Sequence, residues 1–217
     1  MKKHTILLIL FLAATAITTA QQVYLESGMS STSIEYENSQ GTGLENLHAT
    51  NHNFMAIGYK NQLFTKNLQL AIGANYVGYG AIGSDETFNN FMEWNVNYAG
   101  LNLGLDYTLF SIKKASFYLK GGMSAAIFTQ GTQTSNSTVI DLKNNDDFDT
   151  TLISMQVGAG LQHPISDKLS FYVQYLYGKS MDTAKGDETL KFKSSNVSFG
   201  LLIDISKTVT KETVAKE

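Results

Sequence analysis

The chain has 217 residues, a formal net charge of −3, one proline and no cysteine. The absence of cysteine excludes a disulfide framework and a lipid-anchored lipoprotein. All sixteen basic residues are lysine and the balance is acidic, which argues against a nucleic-acid partner and excludes bidentate guanidinium chemistry.

The first twenty residues have the parts of an export signal. Lys2 and Lys3 form a positive start, and the mostly apolar stretch 6–17 is too short for a comfortable membrane-spanning helix. Small residues up to Ala20 predict cleavage before Gln21. A retained N-terminal anchor is disfavoured because the stretch lacks both length and a stop-transfer charge.

The rest of the chain holds no apolar stretch long enough for a spanning helix, but it divides into alternating segments. Apolar and small or polar residues alternate with a period of two, which is the pattern of β-strands with two different faces. In chain order the predicted strands are 22–37, 53–63, 67–82, 91–110, 115–130, 150–163, 168–179 and 189–206.

The fourth segment shows how the two faces differ. Leu101, Leu103 and Leu105 occupy one face, and Asn102 and Gly104 occupy the other. A water-soluble barrel or sandwich needs a bulky apolar interior, whereas small polar residues suit a narrow wet lumen with lipid outside. The pattern predicts an all-β fold, an eight-stranded antiparallel up-and-down transmembrane β-barrel.

The connections alternate in length, as expected when both termini lie on the periplasmic side. Short turns are predicted at 64–66, 111–114 and 164–167, and the longest outer loop is predicted at 131–149. We therefore expect location in the outer membrane of a Gram-negative cell. The expected layout is a cleaved signal peptide at 1–20, the outer-membrane barrel at 21–206 and a short periplasmic tail at 207–217.

The strand sequences Tyr98–Tyr107 and Leu169–Gly178 resemble those of the small outer-membrane β-barrel domain proteins common in Bacteroidota. The last strand sequence, Ser198–Ile205, is similar to a barrel-assembly signal, although it ends on isoleucines rather than an aromatic residue and a tail follows it. The resemblance implies contact with outer-membrane lipid and with the barrel-assembly machinery during insertion. It implies no particular activity, because such barrels host unrelated functions.

Near the outer end of the barrel the polarity of the two faces reverses. On the upper parts of strands four and eight the lumen-facing residues are apolar. The outward-facing residues there include the charged Glu93, Lys191 and Lys193. This predicts an apolar cluster inside the outer mouth, where strands project beyond the bilayer. The candidate residues are Met92, Trp94, Val96, Tyr98, Phe128, Leu190 and Phe192, with Val77 and Tyr79 on the same inner face.

Three interpretations of the cluster remain open. It is a small core that holds the extension together, or a pocket for a small apolar ligand. The third is a β-bulge near Tyr98, which would turn Trp94 outward as an interface anchor.

Charged residues are predicted on the lumen face lower down. Asp106 and Lys120 lie nearly opposite each other around the turn at 111–115, and Lys60 and Asp204 are expected at similar depth. We interpret these as structural lumen charge pairs, the alternative being a selective pore or proton path.

The sequence leaves three functions open. The first is a non-enzymatic barrel with a closed lumen, acting as a structural or interaction protein or as a subunit of an envelope assembly with a protein partner. The second is a narrow transporter or binder of small apolar molecules. The third is an outer-leaflet lipid-modifying enzyme, suggested only by the loop residues His48, His52, Ser84 and Asp85.

No metal or cofactor is expected. The acidic segment 144–149 lacks the regular spacing of a calcium loop, and His163 is interpreted as a rim residue.

Overall fold

The computed structural model describes residues 21–37, 39–43, 46–85, 90–143, 150–183 and 189–205, with backbone only at Ser84, Asp85 and Asn90. The predicted signal peptide and tail lie outside these ranges, so both stay predictions. Within the described residues, no helix is long and apolar enough to cross a membrane.

The described chain forms nine β-strands. Their bounds are β1 Gln22–Glu37, β2 Leu47–Gln62, β3 Leu68–Asp85, β4 Asn90–Ile112, β5 Ala115–Ser135, β6 Thr138–Asp141, β7 Leu152–Pro164, β8 Leu169–Ser180 and β9 Thr189–Asp204. All pairings are antiparallel.

Eight of the strands close into a ring. The order β4-β3-β2-β1-β9-β8-β7-β5 is completed by pairing of β4 with β5, so each of these strands pairs on both sides. β6 pairs with the upper part of β5 alone and forms a hairpin above the ring. The predicted eight-stranded antiparallel barrel is confirmed.

The stagger of the strands sets the width of the lumen. Following the register from Gln22 round all eight strands returns to β1 at Thr32, ten residues further along. With strands 4.8 Å apart and a rise of 3.3 Å per residue, this stagger corresponds to a tilt of about 40°. A barrel of eight strands at this tilt is just wide enough for side chains to fill.

Several strands extend further towards the outer end of the barrel than the sequence pattern predicted. β2 begins at Leu47 instead of residue 53, β3 continues to Asp85, and β5 continues to Ser135. The predicted loop 131–149 therefore contains a β-hairpin. These additions lie above the bilayer, where the outward face is polar and no longer has the lipid-facing pattern that marks a strand in the sequence.

Two register shifts interrupt the ladders near the outer end. Asn97 faces Gln130 while Tyr98 faces Phe128, which makes Thr129 of β5 the extra residue. A second shift separates Ala49 from Phe54 on the β2–β3 pair.

The outward surface of the ring has two zones. The lower zone is a lipid belt of exposed apolar side chains that includes Met29, Met55, Ile57, Leu101, Leu103, Ile127, Val157, Tyr175, Tyr177, Val197 and Phe199. Above it most of the outward side chains are polar, as at Asn51, Asn95 and Thr129. The belt is the part that lipid covers, and the upper zone lies in water.

Candidate functional site

Glu26 lies at the centre of the lower lumen, almost completely buried, although its neighbours Leu25 and Ser27 face outward from β1. Its carboxylate accepts three hydrogen bonds. Tyr172 Oη donates to Oε2 at 2.8 Å, while Gln174 Nε2 and Ser198 Oγ both donate to Oε1 at 2.6 Å. All three donors come from β8 and β9, so the carboxylate joins β1 to the two strands that close the ring beside it.

A second buried carboxylate lies on β4. Lys60 Nζ is 2.5 Å from Asp106 Oδ2, and Lys120 Nζ is 3.9 Å from Asp106 Oδ1. The Lys60 ammonium also lies over two tyrosine rings, 5.3 Å from the Tyr118 centroid and 4.8 Å from the Tyr172 centroid. Lys60 therefore connects the two carboxylate centres.

Tyr118 completes the connection by donating its hydroxyl to Gln174 Oε1 at 2.9 Å. The resulting lumen network consists of Glu26, Lys60, Asp106, Tyr118, Lys120, Tyr172, Gln174 and Ser198. It contains two lysines and two carboxylates, all buried, so its formal charge is zero. Buried charges are tolerated when they are paired and hydrogen-bonded in this way.

The structure corrects one of the predicted charge pairs. Asp106 and Lys120 face each other in register, but Lys60 pairs with Asp106 and not with Asp204. Lys60 and Asp204 flank Gln22 on its two sides, at the lower end of the barrel. On its other side, Lys60 reaches Asp106 across a small residue of β3, Ala71. The small side chain leaves the ammonium a clear path.

Glu26 was missed by the sequence analysis. Tyr24, Glu26, Ser30 and Thr32 share one parity and are all buried, so they lie on the lumen side of β1. Serine and threonine also occupy the outward face, which makes β1 the least clearly alternating strand. The available signal was the charge of Glu26 itself, because a charged residue within a membrane-crossing strand faces the lumen and not the lipid.

An apolar group that we call the outer cap fills the lumen above the network. Its rings contact one another: the centroid distances from Tyr79 are 5.9 Å to Tyr98 and 5.1 Å to Phe192, and Tyr98 lies 6.0 Å from Phe192 and 5.8 Å from Phe128. The remaining members are Val77, Trp94, Val96 and Leu190. Tyr98 lies eight residues above Asp106 on β4, which is about 20 Å along the barrel axis at this tilt.

The predicted cluster residues take the following places. Val96, Tyr98, Leu190 and Phe192 are buried, and Trp94 and Phe128 are partly buried against them. Met92 is half-buried at the outer end of β4, opposite Gly83 and Ser135. The idea that a bulge turns Trp94 outward is wrong, because the extra residue is Thr129 on β5 and the alternation of β4 continues.

The residues considered for catalysis do not form a described site. His48 is exposed, and His52 Nε2 lies 2.7 Å from Thr50 Oγ1. Burial lowers the pKa of His52, against the opposite influence of the Glu93 carboxylate. The side chains of Ser84 and Asp85, like the acidic segment 144–149, lie outside the described residues.

Two other expectations concern His163 and the absence of a metal site. His163 packs beside Phe171 at the lower rim, with 5.8 Å between ring centroids. Across the described part of the chain, no three histidine, aspartate or glutamate side chains come together as a metal site would require.

Three lysines lie on the outside of the barrel above the lipid belt. Lys179 and Lys193 each place their ammonium 3.0 Å from Glu35 Oε2, and Lys191 lies 3.8 Å from Asp182 Oδ2. The hydrogen bonds from Lys179 and then Lys193 hold the pKa of Glu35 below its usual range.

The sequence profile of the outer membrane protein β-barrel domain matches residues 5–201, and the chain belongs to that family. The family assignment and the closed ring place the protein in the outer membrane as a β-barrel. A search of curated proteins found no match.

Solved structures with a similar chain path include the following three. The Neisserial surface protein A is 13% identical, with 83% of this chain and 96% of that chain covered and a TM-score of 0.47. Ail of Yersinia pestis, solved with a heparin analogue, is 13% identical, with 85% of this chain and 100% of that chain covered and a TM-score of 0.42. The outer membrane protease OmpT from Escherichia coli is 8% identical, with 87% of this chain and 97% of that chain covered and a TM-score of 0.47.

Removing the buried carboxylate of Glu26 is expected to destabilise the barrel strongly. Glu26→Ala leaves three donors without their acceptor and two buried lysines with one carboxylate, which costs about 3–5 kcal/mol. Glu35→Ala is the matched control on the same strand, because each of its two exposed ion pairs contributes at most about 1 kcal/mol. The measurement is the free energy of unfolding by urea in lipid vesicles. Equal losses in the two variants would contradict the network.

Proposed function

We propose that this protein is a non-enzymatic outer-membrane barrel whose lumen is closed to free diffusion and whose outer loops are presented to a partner or to a larger envelope assembly. The observation that carries the proposal is the filling of the lumen at two levels. A solute crossing the barrel would have to displace first the outer cap and then the lumen network.

The two obstructions differ in chemistry. The outer cap excludes water and ions, since its rings contact one another and are mostly buried. The lumen network resists rearrangement, because moving Lys60 away from Asp106 leaves a buried ammonium without its carboxylate and leaves Asp106 with Lys120 alone, 3.9 Å away. Both therefore support a structural role for the interior rather than a transport route.

The non-enzymatic part of the proposal is supported by the site geometry. His52 Nε2 lies within hydrogen-bond distance of Thr50 Oγ1, and His48, four residues away along the chain, is exposed. An altered lipid A mass spectrum in a deletion strain, restored by the wild-type gene, would contradict this part.

The route to the membrane forms part of the same proposal. Residues 1–20 support export through a cleaved signal peptide. The strand sequences support insertion by the barrel-assembly machinery and membership of the small barrels common in Bacteroidota.

A closed lumen predicts an electrically silent protein. In planar bilayers, refolded wild-type protein is expected to give no sustained conductance steps. A cap variant, Tyr98→Ala with Phe192→Ala, is expected to stay silent as well, because the lumen network still closes the lower half. Large and stable steps from the wild type would contradict the proposal.

A second candidate is a binder of small apolar molecules in the outer cap. The observation that favours it is the position of Trp94 and Phe128, which pack against the cap and remain partly exposed. This leaves an apolar surface that a small guest could cover.

The single tryptophan of the chain gives a direct test of this candidate. A binding cap predicts saturable quenching of Trp94 fluorescence by a short brominated alkane added to protein in lipid vesicles. The matched control moves the tryptophan to the lipid belt, as Trp94→Phe with Leu101→Trp, where quenching should rise steadily with the membrane concentration of the alkane. The same steady rise at Trp94 would exclude a binding cap.

A further inference from the structure

Four methionines of the lipid belt form a group that we call the methionine girdle. They are Met29 on β1, Met55 on β2, Met123 on β5 and Met155 on β7, and each is between 44% and 56% exposed. The chain has seven methionines and Met1 opens the predicted signal peptide, so the girdle holds four of the other six. Most of the thioether groups of the barrel therefore face lipid.

The girdle consists of two pairs on opposite sides of the barrel. Met123 lies directly opposite Met155 in the register of β5 and β7, and Met29 lies opposite Asn53, two residues above Met55 on β2. In the ring, β3 and β4 separate the two pairs on one side, and β8 and β9 separate them on the other. The barrel therefore presents thioethers to lipid in two opposite directions.

The register also places the two pairs at one level. Each step from strand to strand round the ring rises by about 3 Å, and each residue along a strand changes the height by about 2.5 Å. From Met55 the register leads through Tyr76 and Ala99 to Ile127, and Met123 lies four residues below Ile127. Three steps up and four residues down nearly cancel. The Cα atoms of the whole girdle therefore lie within about 3 Å of one another in height.

That level is close to the outer edge of the lipid belt. The next outward residues above Met29 and Met55 are Ser31 and Asn53, which are polar and exposed. Two residues along a strand correspond to about 5 Å in height at this tilt. Among the residues that the structure describes, the belt below the girdle contains no methionine. The thioethers therefore lie in hydrocarbon, just below the headgroups of the outer leaflet.

A thioether differs from the other side chains of the belt because a peroxide oxidises it directly to a sulfoxide. A lone pair of the methionine Sδ attacks the terminal oxygen of a hydroperoxide, so that an S–O bond forms and the O–O bond breaks. The sulfur loses two electrons, and the peroxide gains them and leaves as an alcohol after its own proton passes to the alkoxide oxygen. The reaction is balanced without a metal or a further electron donor.

An organic hydroperoxide is the oxidant that suits this level of the membrane. Its apolar part dissolves in the hydrocarbon, whereas its polar hydroperoxide group is drawn towards the headgroups, next to the girdle. Hydrogen peroxide stays in water, where it meets Met181 instead. Met181 follows the last residue of β8, lies two residues beyond the exposed Lys179 and is 48% exposed. It is therefore a reference methionine of similar exposure in a different solvent.

We propose that the methionine girdle reduces organic hydroperoxides dissolved in the outer leaflet to alcohols, and that each of its thioethers becomes a sulfoxide in the process. The girdle is thus a site of covalent modification on the lipid-facing surface. Its position at one level, where a hydroperoxide group is held by its own polarity, is the observation that carries the proposal. The closed lumen takes no part in this reaction.

The test exposes the full-length barrel, folded in lipid vesicles, to cumene hydroperoxide or to hydrogen peroxide and measures sulfoxide at each methionine by peptide mass spectrometry. The measured quantity is the oxidation rate of the girdle methionines divided by that of Met181. This ratio is expected to be at least about tenfold higher with cumene hydroperoxide, because its apolar group concentrates it in hydrocarbon. The chain unfolded in urea without lipid is the control for intrinsic reactivity. Equal ratios with the two peroxides in vesicles would overturn the proposal.

A variant with leucine at all four girdle positions tests whether the barrel consumes peroxide there. Leucine nearly conserves the volume and apolar character of methionine, so the variant is expected to fold. Wild-type protein should form one molecule of cumyl alcohol per girdle sulfoxide, and the leucine variant should form no alcohol beyond the yield of Met92 and Met181. The matched control, Met92→Leu with Met181→Leu, keeps the girdle and should consume cumene hydroperoxide nearly as the wild type does.

The remaining outcomes also decide the matter. Girdle methionines that stay unoxidised in cumene hydroperoxide would overturn the proposal and leave the girdle as a flexible apolar surface for lipid. Equal consumption by the wild type and the leucine variant would overturn it as well. If the fourfold variant fails to fold, Met123→Leu with Met155→Leu carries the test, with loss of about half of the alcohol expected and an unchanged yield overturning the proposal.

Discussion

The mutual compensation of buried charges in the lumen is the constraint on which the rest of this structure depends. Eight strands with a stagger of ten residues enclose a space that side chains fill, so lumenal polar groups find their partners among themselves. Asp106 shares two lysines, and Glu26 collects three hydroxyl or amide donors. An unpaired member would carry the full desolvation penalty of a buried ion.

This constraint also explains why the barrel changes character along its axis. Where lipid surrounds it, apolar side chains face outward and the interior holds the polar network. Where water surrounds it, the outward face is polar and the interior can hold an apolar cap. Thr129 lies at this transition as the extra residue of the bulge between β4 and β5. Its hydroxyl donates to the backbone oxygen of Asn97 at 2.8 Å. The second register shift, on β2, is bridged by Thr32, whose hydroxyl accepts from the Gly80 amide at 2.9 Å.

Features that depend on one strand or one tight turn could be predicted from the sequence. The alternation in β4 indicated which residues face lipid, and the turn at 111–115 fixed Asp106 opposite Lys120. The pairing of Lys60 with Asp106 could not be predicted in this way, because these residues lie two strands apart and their approach depends on the stagger and on the small side chain of Ala71. Glu26 was missed because serine and threonine on both faces of β1 conceal its alternation. The outer parts of β2 and β5 were taken for loops because their outward face meets water.

The central claim is that the lumenal charges stabilise the fold as a compensated set, and a double-mutant cycle on Lys60 and Asp106 tests it most directly. The measurement is the free energy of unfolding in lipid vesicles for Lys60→Met, Asp106→Asn and the double variant. Each single change leaves a buried charge uncompensated, so we predict that the double variant is more stable than the sum of the single losses implies, by at least about 1 kcal/mol. Strictly additive losses would contradict the account.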